Sequence, residues 1–311
     1  MRALALALGL LVAALPACAE TRSLRFDDTT PARARFDRLT YLGGLEWRVG
    51  RPDFGGFSGL ALEPDGHLVA LTDKAHWFRT RPVFGGGGAL KGLQGLTLGR
   101  LYREGRDYLQ SPRTDSEALV RLPDGGWLVS FERDHRIARF ADWEAGQEVV
   151  HRLPEWQSLG NNRGIEAMAL LGDGRLVAVA EEPASGRDHQ GWVLAEDEPP
   201  RPFRIARRGS YSPTDLALSP DGASLYLLER RYNPIAGPGM AIRRFPVTAL
   251  EAGDPIEGEV LIDRGAGHAV DNMEGLAAFT GPTGADELLV ISDDNFSARQ
   301  RTLLLHFRVV E

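Results

Sequence analysis

The 311-residue chain has a single cysteine, Cys18, so its fold can contain no intramolecular disulfide and its chemistry has no thiol nucleophile elsewhere. It also lacks any long basic stretch, and with a net charge of −7 nothing in it is suited to neutralising a nucleic-acid backbone. The seven histidines are scattered with no pair at metal-ligand spacing, so the pattern offers zinc and copper neither clustered cysteines nor paired histidines. Ser58 lacks the Gly-x-Ser-x-Gly setting of a nucleophile elbow, and the glycines at 85–88 precede no Gly-Lys-Ser/Thr, so serine-hydrolase and phosphate-loop readings both fall away. The marked apolar run, residues 3–15, follows Met1-Arg2 and is too short to remain in a bilayer.

That opening reads as a signal peptide over residues 1–19, followed by a polar leader over 20–37 and one domain over 38–311. Ala17-Cys18-Ala19 fits cleavage before Glu20. Leu15-Pro16-Ala17-Cys18 resembles a lipobox that would leave a lipid anchor on Cys18, but proline is unusual there, so simple secretion is the preferred reading. No transmembrane span is expected in the mature chain.

What the chain does contain is a repeat. Residues 58–73, 117–132, 166–181 and 214–229 each run apolar strand, Asp-Gly turn, apolar strand, with the end residues 15 apart; residues 274–293 form a fifth copy with a longer turn. Strand-built repeats near 50 residues indicate an all-β, single-domain β-propeller of four-stranded blades. Five hairpins favour five blades, with a degenerate sixth as the alternative. The fifth unit runs out of chain after residues 303–309, so the spare strand at 39–49 is expected to complete it and close the ring through N- and C-terminal pairing. Residues 232–239, rich in glycine and proline, read as a loop on one propeller face.

In a two-residue hairpin, residues equidistant from the turn face each other. That rule sets Glu117 against Glu132, Glu166 against Glu181 and Glu274 against Asp293, while Ser58 and Thr214 begin the other two units. Three-residue loops with left-handed glycine are the alternative; they shift the partner by one but keep both acids at the same blade end. Radial blades would gather these six carboxylates at one mouth of the channel, where cations or raised pKa values must relieve their repulsion. Hard oxygen donors suit calcium. The competing account is a metal-free network in which Lys74, Arg133 and Arg230, each directly after an acid, neutralise the ring.

The segments Gly56-Phe57-Ser58-Gly59-Leu60, Asp115-Ser116-Glu117-Ala118-Leu119, Arg163-Gly164-Ile165-Glu166-Ala167, Pro213-Thr214-Asp215-Leu216-Ala217, Glu229-Arg230-Arg231, Asn272-Met273-Glu274-Gly275-Leu276-Ala277 and Ser292-Asp293-Asp294-Asn295 together resemble the phytase-like domain family of esterase-like proteins. The resemblance covers nearly all of the chain after the leader and implies a bacterial exported protein, periplasmic or secreted, with an outer-membrane lipoprotein as the alternative. It also implies an acidic channel akin to that of calcium-dependent propeller phytases, although their aspartate-dense signature is absent here. The expected function is calcium-dependent hydrolysis of phosphate or other esters, acting on a small molecule. Glu117, Glu132, Glu166, Glu181, Glu274 and Asp293 would hold metal, and Arg133, Arg163 and Arg230 would neutralise substrate charge. Alternatives are a non-catalytic, calcium-braced propeller that binds a ligand or partner protein, and a propeller lactonase. A monomer is expected.

Overall fold

The computed structural model describes residues 19–30, 34–103, 107–161, 163–181 and 188–311. The chain begins with β1 (Ala19–Ser23), β2 (Arg35–Phe36) and β3 (Leu39–Val49), then forms four complete blades in order. The first holds β4 (Phe57–Leu62), β5 (Leu68–Thr72), β6 (His76–Phe84) and β7 (Leu90–Arg100). The second holds β8 (Ser116–Arg121), β9 (Trp127–Phe131), β10 (Arg136–Phe140) and β11 (Glu148–His151). The third is β12 (Ile165–Leu170), β13 (Leu176–Ala180), β14 (Asp188–Leu194) and β15 (Arg201–Ala206), and the fourth β16 (Ser212–Leu218), β17 (Ser224–Asn233), β18 (Gly237–Pro246) and β19 (Glu259–Arg264). The chain ends with β20 (Asn272–Thr280), β21 (Asp286–Asp293) and β22 (Leu303–Val309).

The last sheet runs β20, β21, β22, β3, so the N-terminal strand supplies the outer strand that the fifth hairpin lacks. Leu303 pairs with Glu46 and Val309 with Leu39, which closes a five-bladed ring. Part of the expected leader joins the same sheet: β1 pairs along β3 from Ala19 with Val49 to Ser23 with Leu45. The signal-peptide positions up to and including Cys18 lie outside the described residues. Among the described residues no helix is long and apolar enough to cross a membrane.

Strand alternation sends every second side chain of a blade toward each neighbour, and the core divides accordingly. Five apolar clusters form, each between two adjacent blades. One example joins Val69, Leu71 and Leu101 of the first blade to Trp127, Val129 and Phe140 of the second. Another joins Tyr226, Leu228 and Ile242 to Leu276, Leu288 and Phe307 across the fourth and fifth. Each fully buried side chain of this kind contributes about 1.5–3 kcal/mol of transfer free energy.

Two local expectations change. In the first three and the fifth blades the hairpin turn is a three-residue loop, as in Glu63 N–H donating to His67 O and Gly66 N–H to Glu63 O, with Gly66, Gly125, Gly174 and Gly284 left-handed at φ of 81–95°. Residues 232–239 are also no surface loop: β17 and β18 stay paired out to Asn233 and Gly237. The Asn233 side chain accepts the amides of Ile235 and Ala236 at 2.9 Å, and this tight turn closes the hairpin despite its glycines and prolines.

A carboxylate ring at the propeller mouth

The five inner strands share one irregularity. Each hairpin register slips once, between Phe57 and Gly59, Ser116 and Leu119, Ile165 and Ala167, Pro213 and Asp215, and Met273 and Gly275. The slip always takes in the ring position itself: Ser58, Glu117, Glu166, Thr214 and Glu274. A bulge leaves one residue without a cross-strand partner and re-aims its side chain, so the fold presents these five side chains together at one mouth. The slip, with the three-residue loops, also undoes the face-to-face pairing expected from a simple hairpin. Asp293 pairs with Asn272 rather than Glu274, and the Glu132 amide donates to Asp115 O.

The acids nevertheless converge. Asp115, Glu117 and Glu132 bring carboxylate oxygens within 4.8 Å of one another. Glu132 and Glu166 share a hydrogen bond between their carboxyls, and Glu132 also accepts the Gly164 amide. Loss of water is the main cause that raises Glu166 well above the usual range, followed by the charges of Glu117, Glu132, Glu181 and Glu274. Burial likewise pushes Glu132 up to about 7, Asp293 to about 7, Glu274 to about 8 and Asp73 to about 6. Glu117 rises for the same reason, with Glu132 and Asp115 adding to it. All six carboxylates expected from the sequence thus belong to one electrostatic cluster, which Asp73 and Asp115 enlarge.

The arginines divide. Arg230 enters the ring, with Nε 2.7 Å from Glu274 Oε1 and Nη2 3.2 Å from Glu181 Oε1. Arg133 lies at the rim with Nε 2.6 Å from Asp115 Oδ2. Arg163 is exposed, and its side chain packs beside Gly160. Lys74 lies 3.0 Å above the Phe296 ring. In the fourth blade the second acid, Glu229, turns away from the mouth and forms a buried two-pronged pair with Arg243 at 2.7 and 2.6 Å.

Where the ring position is not acidic, hydroxyls clasp the blades: Ser58 Oγ donates to Ser116 O at 2.6 Å and Thr214 Oγ1 to Met273 O at 3.0 Å. One group escaped the sequence reading. The residue after each ring position is Gly59, Ala118, Ala167, Asp215 or Gly275, four small side chains and one acid. Asp215 is 1% exposed and accepts the amides of Leu216 at 2.8 Å and Leu276 at 2.6 Å. Along the inner strands it falls between the acid ring and a cavity of about 220 Å³ walled by Leu60, Leu119, Met168, Leu216 and Leu276. The contrast in side-chain size at this position was the signal available in the sequence. Asp215→Ala strands two buried amides and is expected to destabilise the protein by about 2–5 kcal/mol. Denaturant unfolding measures this, and a loss under about 1 kcal/mol would contradict it.

A second group with ligand spacing, Glu63, Asp65 and His67, lies at the turn end of the first blade. Arg79 already bonds Glu63 and Asp65, and Arg81 Nη2 reaches His67 Nδ1 at 3.2 Å, so protein cations fill that position.

The fold and this mouth define a class: a five-bladed propeller with a buried carboxylate ring at one end of its channel. The chain belongs to the phytase-like family, whose description is esterase-like activity of phytase and whose model matches residues 52–296. No curated protein matches the chain. Among solved structures it is similar to a gluconolactonase from Xanthomonas campestris (11% identity, 94% of this chain and 99% of that one, TM-score 0.46). It is also similar to the PQQ-bound aldose sugar dehydrogenase from Streptomyces coelicolor (13%, 94% and 99%, TM-score 0.47). A third is the PQQ domain of pyranose dehydrogenase from Coprinopsis cinerea (9%, 86% and 94%, TM-score 0.49). At such values none of the three carries information about chemistry.

Proposed function

We propose that the protein is an exported hydrolase of uncharged esters, lactones included, that works with a hard divalent cation of the calcium class held in the carboxylate ring. The observation that carries this reading is the ring itself. Its donors are all carboxylate oxygens, Asp73 Oδ1 is buried without a hydrogen-bond partner among the described residues, and Glu166, 8% exposed, has the Glu132 carboxyl as its partner. Such a donor set fits a hard cation. Export rests on Met1-Arg2 and the apolar run after it, with a lipid anchor at Cys18 as the alternative.

Uncharged esters are preferred to phosphoesters because two of the arginines expected to receive phosphate are engaged. Arg133 is held by Asp115 and Arg230 by Glu274 and Glu181, while acids dominate the mouth. A dianionic substrate would meet net repulsion. When bound, a divalent cation supplies Lewis-acid polarisation of the ester carbonyl. Glu117, one of the ring carboxylates with partial solvent contact, would take a proton from the attacking water once a bound cation has displaced its own. The proton that Glu117 takes would pass to the leaving alkoxide, so that the same carboxyl serves first as base and then as acid.

One observation favours a second reading, a cation-braced propeller that binds a ligand or partner without catalysis. Glu132, Glu166 and Glu274 are only 4%, 8% and 7% exposed, which restricts approach to the ring. Hydrolysis of aryl acetates, γ- and δ-lactones and p-nitrophenyl phosphate by calcium-loaded protein, EDTA-treated protein and Glu117→Gln separates the two. The hydrolase reading expects calcium-dependent turnover of the uncharged esters, little of the phosphate, and a loss of about 100-fold or more in Glu117→Gln. Calcium binding without turnover of any ester would leave the brace.

A further inference from the structure

We infer that Arg230 occupies the place of a second cation, so that the ring is split into an ion-binding half formed by Asp115, Glu117, Glu132 and Glu166 and a half that the protein neutralises with its own guanidinium. This rests on the reading of the mouth as a cation site and goes beyond it by setting the ion's position and number.

The two halves differ in how their oxygens are used. On one side, Glu274 Oε1 lies 2.7 Å from Arg230 Nε and accepts Asn272 Nδ2 at 2.7 Å. Asp293 accepts the Asn295 amide at 2.6 Å on one oxygen and Asn272 Nδ2 at 3.4 Å on the other. Glu181 Oε1 lies 3.2 Å from Arg230 Nη2. These acids already have donors. On the other side, Asp115 has Arg133 at the rim and Glu132 has the Gly164 amide, but Glu117 and Glu166 receive no such donor among the described residues, and Asp115, Glu117 and Glu132 have oxygens within 4.8 Å of one another. Glu166, more than nine-tenths buried and hydrogen-bonded to the Glu132 carboxyl, receives no N–H among the described residues. A buried carboxyl whose partner is another carboxyl needs a proton or a cation in place of that donor. Position follows from sequence: Arg230 directly follows Glu229, the one second acid that turns away to Arg243, so the fourth blade contributes a cation where the second and third contribute Glu132 and Glu181.

The division also explains why Glu274, with an acid's place in the repeat, is not equivalent to Glu117. A planar, permanently charged guanidinium bridging two carboxylates is a fixed counterion that no chelator removes.

The test is calcium titration of the full-length, EDTA-treated protein, followed by calorimetry and by analysis of metal retained after gel filtration. Wild type is expected to bind one Ca²⁺, Arg230→Met two, and Arg230→Lys one. Glu117→Gln is expected to weaken binding by about tenfold or more, whereas Glu274→Gln leaves it within about threefold. This second pair of variants keeps the inference testable if Arg230→Met does not fold. Two ions in wild type, one in folded Arg230→Met, or equal losses in Glu117→Gln and Glu274→Gln would overturn the inference while leaving the cation site in place. No binding by wild type would overturn both.

Discussion

Glu166→Gln is expected to make the cation-free protein more stable at pH 8 and to erase its stabilisation by calcium. Most substitutions of a buried group destabilise, but this carboxyl faces Glu117, Glu132, Glu181 and Glu274, and its hydrogen-bonding partner is itself an acid. At pH 8 the cation-free ring is poorly compensated, because Arg230 is engaged with Glu274 and Glu181. A like-charge pair 5 Å apart at an effective dielectric near 20 costs about 3 kcal/mol, so removing one acid returns on the order of 1–3 kcal/mol. Wild type instead gains about 2.7 kcal/mol from calcium at a hundred times its dissociation constant. Urea unfolding in EDTA and in calcium measures both quantities. A cation-free variant less stable than wild type would mean that Glu166 is a satisfied core group.

The second large effect is on pH. Cation-free wild type is expected to be more stable at pH 5 than at pH 8, by a few kcal/mol. Glu132, Asp293, Glu274 and Asp73 are raised by burial to about 7, 7, 8 and 6 from 4.5, 3.8, 4.5 and 3.8. Between the unfolded and folded values the folded state therefore binds more protons, and stability falls as pH rises. The contribution is full below about pH 4, where both states are protonated at these groups, and is lost as pH passes through 6 to 8. A tenfold difference in proton affinity between the folded and unfolded states is worth about 1.4 kcal/mol before compensation elsewhere. Saturating calcium should flatten the profile, because a cation replaces the missing protons. Thermal melts across pH 5–8, with EDTA or with calcium, read this directly; a cation-free profile that rises toward pH 8 would contradict it.

The blades were legible because they rest on local signals repeated in one chain. The apolar runs flanking Asp65-Gly66, Asp124-Gly125, Asp173-Gly174 and Asp221-Gly222 set four hairpins, and the unpaired end of the fifth pointed to residues 39–49. Convergence of the acids at one mouth followed from that symmetry. The register did not. It depends on a three-residue loop in four blades and on one bulge in every inner strand, and a slip of one residue is invisible in an alternating pattern until the strands pair. Partner choice was equally hidden. Arg243 lies 14 positions from Glu229, and its buried pairing, which turns that acid away from the mouth, depends on adjacent strands of the fourth blade. Asp215 was readable in principle, since it stands alone among Gly59, Ala118, Ala167 and Gly275, but its role needed the neighbouring blade's Leu276 amide.

If the mouth is a cation site whose carboxyls hold protons until the ion arrives, calcium must expel protons as it binds. Calcium titration at pH 7 in two buffers of different ionisation enthalpy reads this, because the difference in heat counts the protons released per ion bound. Release of about one proton or more per calcium is predicted for wild type, falling in Glu166→Gln together with affinity. Binding with no proton release would place the ion away from the ring, and no binding at all would leave the carboxyls as a proton-sharing network closed by Arg230 and Arg133.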